Sequence, residues 1–102
     1  MNKIFGQNDS SYLPYLTIQD KALNWNEYLI IKAIIKNNGT KNVTQCLIKI
    51  NIYNQRNKLV GMDKSYVFGD IAPGKTKSFH LITGWPNSAK TYNLTIEKVR
   101  VN

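Results

Sequence analysis

The side chains that could do chemistry are few in this chain of 102 residues, which has one histidine and one cysteine. Nucleophilic catalysis needs a base within hydrogen-bonding reach of the nucleophile. Ser78 and His80 stand two residues apart, a spacing that on a β-strand puts both on one face but about 7 Å apart. This separation is too long for a direct hydrogen bond. We therefore expect His80 to be a surface or edge residue, and the sequence predicts no catalytic residues.

Cys46 and the acidic residues do not form a chemical site either. Cys46 alternates with Ile48 and Ile50 in an apolar run, so we expect a core side chain whose buried thiol keeps its proton. One histidine, one cysteine and six dispersed carboxylates provide no cluster with metal-ligand spacing. The glycines form no phosphate-binding pattern. The sequence therefore predicts no metal, no cofactor and no cofactor-binding residues, and we expect that the protein is not an enzyme.

Two tryptophans are the remaining candidates for ligand contact. Trp25 and Trp85 fall at predicted loops or strand ends, where a flat ring could stack on a sugar or a base. For Trp85, in Gly84-Trp85-Pro86, the alternative is that the ring folds back over the end of the core. Together with the excess of lysine, the two rings give one of the two functional hypotheses, a carbohydrate or anionic-polymer binding module.

The elements that must position these residues are predicted to be strands. Apolar residues alternate with polar ones in short runs, and Gly, Asn and Pro mark turns about every ten residues. The predicted strands are residues 15–18, 28–37, 43–53, 59–62 and 65–68 (two short strands or one bent strand), 76–83 and 91–101. This pattern predicts an all-β, immunoglobulin-like sandwich of about seven antiparallel strands. Residues 13–102 would form the single domain, and the polar residues 1–12 a flexible arm or linker.

The strand over residues 28–37 carries apolar side chains on both faces. Its predicted inward residues are Leu29, Ile31, Ala33 and Ile35, and its predicted outward residues are Tyr28, Ile30, Lys32, Ile34 and Lys36. Isoleucine on a face that should be wet needs a cover. One alternative is that apolar residues of the arm supply it, namely Ile4, Phe5, Tyr12 and Leu13. The other is a homodimer or partner-protein contact made by Ile30, Lys32, Ile34 and Lys36.

Three motifs in residues 28–79 carry a family resemblance. They are a strand ending in KNNGT (residues 36–40), the hairpin IYNQRNKLVG (52–61) and the turn GDIAPGKTKSF (69–79). In order and spacing they resemble the FxLYD family of extracytoplasmic immunoglobulin-like modules and, less closely, the CARDB adhesion-related domains. The sequence departs from the FxLYD pattern at Asn54, usually Asp, and at Asn57, usually Gly, and we expect Asn57 to be left-handed. The resemblance implies a non-catalytic interaction or structural module of an extracytoplasmic protein or lipoprotein.

The net charge of +8 comes from fourteen Lys and Arg against six Asp and Glu. It favours an anionic partner, but twelve scattered lysines also fit codon bias in an AT-rich genome. The expected partner is another protein, a second copy of the chain or a cell-surface polysaccharide. Nucleic acid is not favoured, because the sequence has no basic tail or basic patch.

Localisation rests on the resemblance. No run reaches the length of a membrane span, and the first residues lack the apolar core of a signal peptide. Either the protein stays in the cytoplasm, or a leader or lipid anchor was removed.

Overall fold

The computed structural model describes residues 6–102. Within them the chain forms seven strands and one short 3₁₀ helix. In chain order these are β1 Gln7–Asn8, the 3₁₀ helix Ser10–Tyr15, β2 Leu16–Trp25, β3 Tyr28–Asn37, β4 Val43–Asn54, β5 Leu59–Ile71, β6 Thr76–Gly84 and β7 Ala89–Val101. The prediction of an all-β sandwich of about seven antiparallel strands is confirmed.

The strands form two sheets, each paired in antiparallel fashion throughout. The four-stranded sheet has the order β1-β7-β4-β5, and the three-stranded sheet has the order β2-β3-β6. The hairpins β2–β3 and β4–β5 stay within one sheet, and the other four connections cross between sheets. Hairpin turns can be recognised locally in a sequence, whereas the choice of a neighbouring strand depends on long-range pairing.

The two central strands supply most of the core, as their alternation predicted. The inward residues of β3 are Leu29, Ile31, Ala33 and Ile35, and those of β4 are Cys46, Ile48, Ile50 and Ile52; all eight are at most 2% exposed. These side chains face each other between the sheets. Because all eight are removed from water, the hydrophobic effect is the main force that holds the sheets together.

Two strands are longer than predicted. β2 continues through residues 19–25, where its inward positions are Asp20, Ala22 and Asn24 and all three are exposed. These inward positions are open to water, so they need no apolar side chains and the alternation of apolar and polar residues is lost. The strand predicted from that alternation therefore ended at residue 18. Of the two alternatives for residues 59–68, two short strands or one bent strand, the structure has one strand, which continues to residue 71 and pairs with β4 along nearly all its length.

Residues 6–12 lie in the fold, where the sequence predicted a flexible arm over 1–12. Gln7 and Asn8 pair with β7, and the Tyr12 side chain is only 4% exposed within the core. Asp9 caps the 3₁₀ helix by accepting a hydrogen bond from the Ser11 backbone. The polar composition of residues 1–12 predicted a flexible arm. The buried Tyr12 ring and the two-residue strand β1 nevertheless attach residues 6–12 to the sandwich. The other two apolar residues of this arm, Ile4 and Phe5, fall outside the described residues.

A fully buried amide, Asn37 at the end of β3, ties five parts of the chain together. Its Oδ1 accepts from the Tyr12 hydroxyl (2.6 Å) and from the Gly39 backbone (3.1 Å). Its Nδ2 donates to the carbonyls of Lys41 (2.7 Å) and Ile71 (2.9 Å). The sequence predicted that a strand ends at Asn37 in a turn, and it gave no sign that this side chain is buried. Because Asn37 is 0% exposed, these bonds satisfy the polar atoms of an amide that water cannot reach.

Replacing Asn37 with Ala should lower the free energy of unfolding by more than about 2 kcal/mol, because it leaves several buried donors and acceptors unpaired. Urea denaturation measures this loss. The matched control is Asn38→Ala, since the Asn38 side chain is exposed and makes one long hydrogen bond to Thr17 (3.3 Å). Equal losses in the two variants would show that the Asn37 network does not stabilise the fold.

The hairpin between β4 and β5 turns at Asn57, whose φ of 60° is left-handed as predicted. Asn54 holds this turn, because its Oδ1 accepts from the backbone of Arg56 (2.8 Å) and Lys58 (3.0 Å). Asn26, in the turn between β2 and β3, has a φ of 55° that the sequence analysis did not identify. Asparagine is the residue other than glycine that best tolerates this conformation.

For Asn57 we expect Asn57→Gly to change the free energy of unfolding by no more than about 0.5 kcal/mol, because glycine adopts positive φ without strain. Asn57→Val should cost about 1 to 2 kcal/mol through the clash of its branched Cβ with the backbone. Thermal or urea unfolding distinguishes the two. A glycine variant as unstable as the valine variant would contradict the turn geometry.

Candidate functional site

The outer face of the three-stranded sheet collects side chains from β2, β3 and β6. Strand register places Ile30 of β3 directly between Leu23 and Ile82. Lys32 lies in the same way between Lys21 and His80. Neighbouring strands lie about 5 Å apart, so the three residues of each row are in reach of one another. The face therefore consists of rows of like side chains that cross all three strands.

Two neighbouring rows form an apolar patch, which consists of Leu23, Trp25, Tyr28, Ile30 and Ile82. Leu23 and Ile82 are each 64% exposed, Trp25 is 61% exposed and Tyr28 is 51% exposed. Isolated apolar residues are common on protein surfaces, but a contiguous group of large ones marks an interaction site. The apolar patch is the clearest feature of this kind on the face.

The next row consists of Lys21, Lys32 and His80 and lies about 7 Å further along the strands. Its two lysines are named here the cationic row. Like charges on directly opposed positions repel each other and destabilise a sheet slightly. The row borders a depression of about 580 Å³ that Ile34, Ser78 and the acidic residue Asp20 also line. An apolar patch beside two lysines can bind a surface that has an apolar centre and acidic neighbours.

The structure brings the predicted partner-contact residues together. Ile30, Lys32, Ile34 and Lys36 all lie on this outer face, and Ile34 is 43% exposed. The predicted cover is absent among residues 6–102, because Tyr12 and Leu13 pack into the core. The face is therefore open wherever the structure describes it.

The two tryptophans occupy different surroundings. Trp25 lies in the apolar patch, so it joins the predicted partner contact. Trp85 is half-buried against the end of the core, and its backbone N–H donates to the Glu27 carbonyl (2.7 Å). The Trp85 ring borders a groove of about 540 Å³ with Ile52 and Met62. Of the two alternatives for Trp85, the structure shows the one in which the side chain packs on the core. The two tryptophans therefore do not lie together in one ligand site.

Sequence reasoning missed three residues of this surface: Leu23, Ile82 and Lys21. Leu23 and Lys21 belong to the part of β2 that was not predicted as strand. The sequence does carry a signal for this part of β2. Over residues 20–25 the apolar residues Leu23 and Trp25 fall on the outward side, and the polar residues Asp20 and Asn24 fall on the inward side. An exposed edge strand with an apolar outer side produces this pattern.

Reactive groups elsewhere are buried or paired. Burial raises the pKa of the Cys46 thiol to about 11. The pKa of Tyr92 in β7 is raised to about 12, mainly by burial and also by the hydrogen bond that its hydroxyl donates to Asp20 in β2. Residues 6–102 contain no group of three or more side chains placed to hold a metal ion. No helix in this range is long and apolar enough to cross a membrane.

Cys46 should resist thiol reagents in the folded protein, because burial keeps it both protonated and inaccessible. We expect negligible reaction with a disulfide reagent at pH 8, and full reaction in denaturing urea, followed by absorbance. The unfolded protein is the control for reagent activity. Rapid labelling of the native protein would contradict the buried position.

Two solved structures are similar in fold. A DUF1425 family member from Shewanella sp. pv-4 aligns with a TM-score of 0.57 at 12% identity, covering 83% of this chain and 76% of that chain. A β-glucosidase from Kluyveromyces marxianus aligns with a TM-score of 0.48 at 13% identity; the alignment covers 85% of this chain but 15% of the enzyme. At such low identity the first similarity concerns the fold alone, and the second carries no argument about function.

Sequence comparison assigns the family. No curated protein matches the chain. The resemblance of residues 28–79 to FxLYD and CARDB domains stays a prediction, because the family model that matches is a different one. That model, described as a protein of unknown function (DUF2393), covers residues 15–99, and the chain therefore belongs to the DUF2393 family.

Proposed function

We propose that this domain is a non-catalytic protein-interaction module, and that it binds its partner with the outer face of the three-stranded sheet. The observation that carries the proposal is the apolar patch, whose side chains are contiguous across three strands and more than half exposed at four of five positions. The adjoining cationic row adds electrostatic specificity. Together these features favour a partner with an apolar centre and carboxylates beside it.

The size of the patch indicates a complex of modest affinity. Burying its side chains contributes on the order of 5 kcal/mol at about 25 cal/mol per Å², and association itself costs at least about 4 kcal/mol. Trp25 and Tyr28 have the large, stiff rings that typically dominate binding energy at interfaces. Ion pairs to Lys21 and Lys32 would then increase the association rate more than the affinity.

A different protein is favoured over a second copy of the same chain. If two identical faces met with their rows in register, Lys21 and Lys32 would oppose the same two lysines of the second copy. Such like-charge contacts are costly when they are desolvated. A partner with acidic groups avoids this cost.

The resemblance of residues 28–79 to FxLYD modules supports placing this interaction outside the cytoplasm, in a lipoprotein or surface protein. The packing of β2-β3-β6 against β7-β4-β5 supports an immunoglobulin-like topology for the domain. The buried thiol of Cys46 and the spacing of about 7 Å between Ser78 and His80 on β6 support a non-catalytic role. Each of these points is part of the proposal.

Photo-crosslinking in the native host tests the proposal. With p-benzoylphenylalanine in place of Ser78, on the outer face beside Ile34, we expect one discrete adduct with another protein. The same group in place of Thr91, on the other sheet, is the positional control. Adducts of equal pattern from both positions, or an adduct of the chain with itself alone, would contradict a specific partner at this face.

The variant Leu23→Thr with Ile82→Thr should abolish the adduct yet shift Tm by no more than about 4 °C, because both side chains are already exposed and Thr suits a strand. The matched control is Leu59→Thr, which removes an apolar side chain that is 56% exposed on the other sheet. Leu59→Thr should leave the adduct unchanged. If the double variant still forms the adduct, the apolar patch is not the contact.

The two isoleucines identified from the sequence provide a second test. Ile30→Thr with Ile34→Thr should also weaken the adduct, because both residues lie on the same outer face. If this variant kept its crosslinking, its Tm and its mass in solution, neither isoleucine would have an interface role. Size-exclusion chromatography with light scattering and a thermal melt supply these measurements.

A further inference from the structure

The outer face of the four-stranded sheet carries a different set of side chains. On it, Gln45 of β4 lies between Phe68 and Arg100, and Leu47 lies between Tyr66 and Lys98. Asn8 of β1 extends the first of these rows, since it pairs with Arg100. This face therefore combines aromatic rings, amides and cations.

Tyr66 and Phe68 form an exposed aromatic platform at one side of this face. Their ring centroids are 5.8 Å apart with an interplanar angle of 28°, and the side chains are 53% and 66% exposed. Flat rings at neighbouring outward positions of a strand offer a stacking surface for another ring. The apolar side of a sugar or a base can bind there.

A depression of about 160 Å³ lies beside the platform. Leu47, which is 6% exposed, contributes buried apolar surface to it, and Tyr66 also lines it. Its polar residues are Asn8, Gln45, Lys98 and Arg100. These side chains supply two amides and two cations. This donor set fits a small anionic group attached to a ring that also carries hydroxyl groups.

The surrounding charge is positive. Glu97, next to Lys98 on β7, is paired with Lys64 at 3.0 Å. The hydrogen bond from Lys64 lowers the pKa of Glu97, and Lys49 and Lys98 lower it further. Because Lys64 is the group that pairs with this carboxylate, Arg100 beside the depression remains available to an external anion.

We propose that this face binds an acidic polysaccharide, with one uronic-acid residue in the depression. Its carboxylate lies against Arg100 and Lys98, its hydroxyl groups against Gln45 and Asn8, and its ring against Tyr66. Arginine can bind a carboxylate in bidentate fashion. The site lies on the opposite side of the sandwich from the apolar patch and does not depend on the proposed protein partner.

The rest of the face favours a sugar chain over nucleic acid. Continuing along the strands, Lys49 pairs with Thr95 and Asn51 pairs with Asn93, so amides and a hydroxyl follow the cations. Such groups exchange hydrogen bonds with sugar hydroxyls, whereas binding to a phosphate backbone relies on densely spaced cations. A polymer lying along β4 would meet these groups in turn.

Titration calorimetry on the full chain tests the proposal with three probes: a hexamer of galacturonic acid, the neutral hexamer of galactose, and a six-nucleotide oligothymidine. We expect the acidic hexamer to bind at least about tenfold more tightly than the neutral one, since a charge-assisted hydrogen bond exceeds a neutral one. Its affinity should fall as salt is raised. Equal affinity for the acidic and neutral hexamers, or tighter binding of oligothymidine, would overturn the proposal.

Variants identify the site. Arg100→Gln and Tyr66→Ala should each weaken binding of the acidic hexamer by about tenfold, with folding checked by circular dichroism. Lys75→Gln is the matched control, because it removes one positive charge from an exposed turn away from this face. An equal loss in Lys75→Gln and Arg100→Gln would show attraction by net charge alone and overturn the site.

The double variant Leu23→Thr with Ile82→Thr separates the two proposals. It should bind the acidic hexamer as the parent does, because its changes lie on the other sheet. Conversely, Arg100→Gln should leave the crosslink from position 78 intact. If the double variant lost hexamer affinity while staying folded, the polysaccharide would bind at the other sheet and this site would be wrong.

Discussion

The buried amide of Asn37 is the interaction on which the rest of this structure depends. It is the last residue of β3, and through Tyr12, Lys41 and Ile71 it joins the 3₁₀ helix, the crossing to β4 and the end of β5. Its backbone also exchanges hydrogen bonds with the turn before β6, at Gly74 and Lys75. An amide is suited to this role because it donates and accepts at once. A hydrocarbon side chain of the same size would leave the carbonyls at this end of the sandwich unpaired.

The Asn37 network also explains why glycine is found at position 39 and how the Tyr12 side chain is held. Gly39 has no Cβ, and a Cβ placed there would clash with the Tyr12 hydroxyl, so glycine allows the two segments to approach closely. Tyr12 is in turn held by accepting from the Lys41 backbone (3.1 Å). The docked N-terminal segment and the tight crossing from β3 to β4 therefore depend on each other. These hydrogen bonds hold the end of β3 and thereby fix the register at which it enters the three-stranded sheet.

Register then determines which side chains meet on the outer faces. Because alternate residues of a strand point to opposite sides, a shift by one residue would put the isoleucines of the core outside and the lysines inside. With β3 fixed, Ile30 and Lys32 must face outward, and their neighbours on β2 and β6 follow. One sheet presents an apolar patch beside a cationic row, and the other presents aromatic rings beside amides and cations. The same core thus supports two chemically different surfaces, which is consistent with a binding module that contacts two kinds of partner.

The sequence by itself determined the class of fold, the inward residues of β3 and β4, and the left-handed turn at Asn57, because alternation and turn chemistry are local. It also indicated that Ile30 and Ile34 face outward. Only the tertiary structure decided that Leu23 and Ile82 flank Ile30, that Trp85 packs on the core while Trp25 does not, and that Tyr66 lies across β4 from Lys98. These relations depend on which strands become neighbours and at what register, and residues far apart in the chain settle that choice. Asn37 is the clearest case: its neighbours in the sequence predict a turn, whereas its burial arises from Tyr12 and Ile71, 25 and 34 residues away.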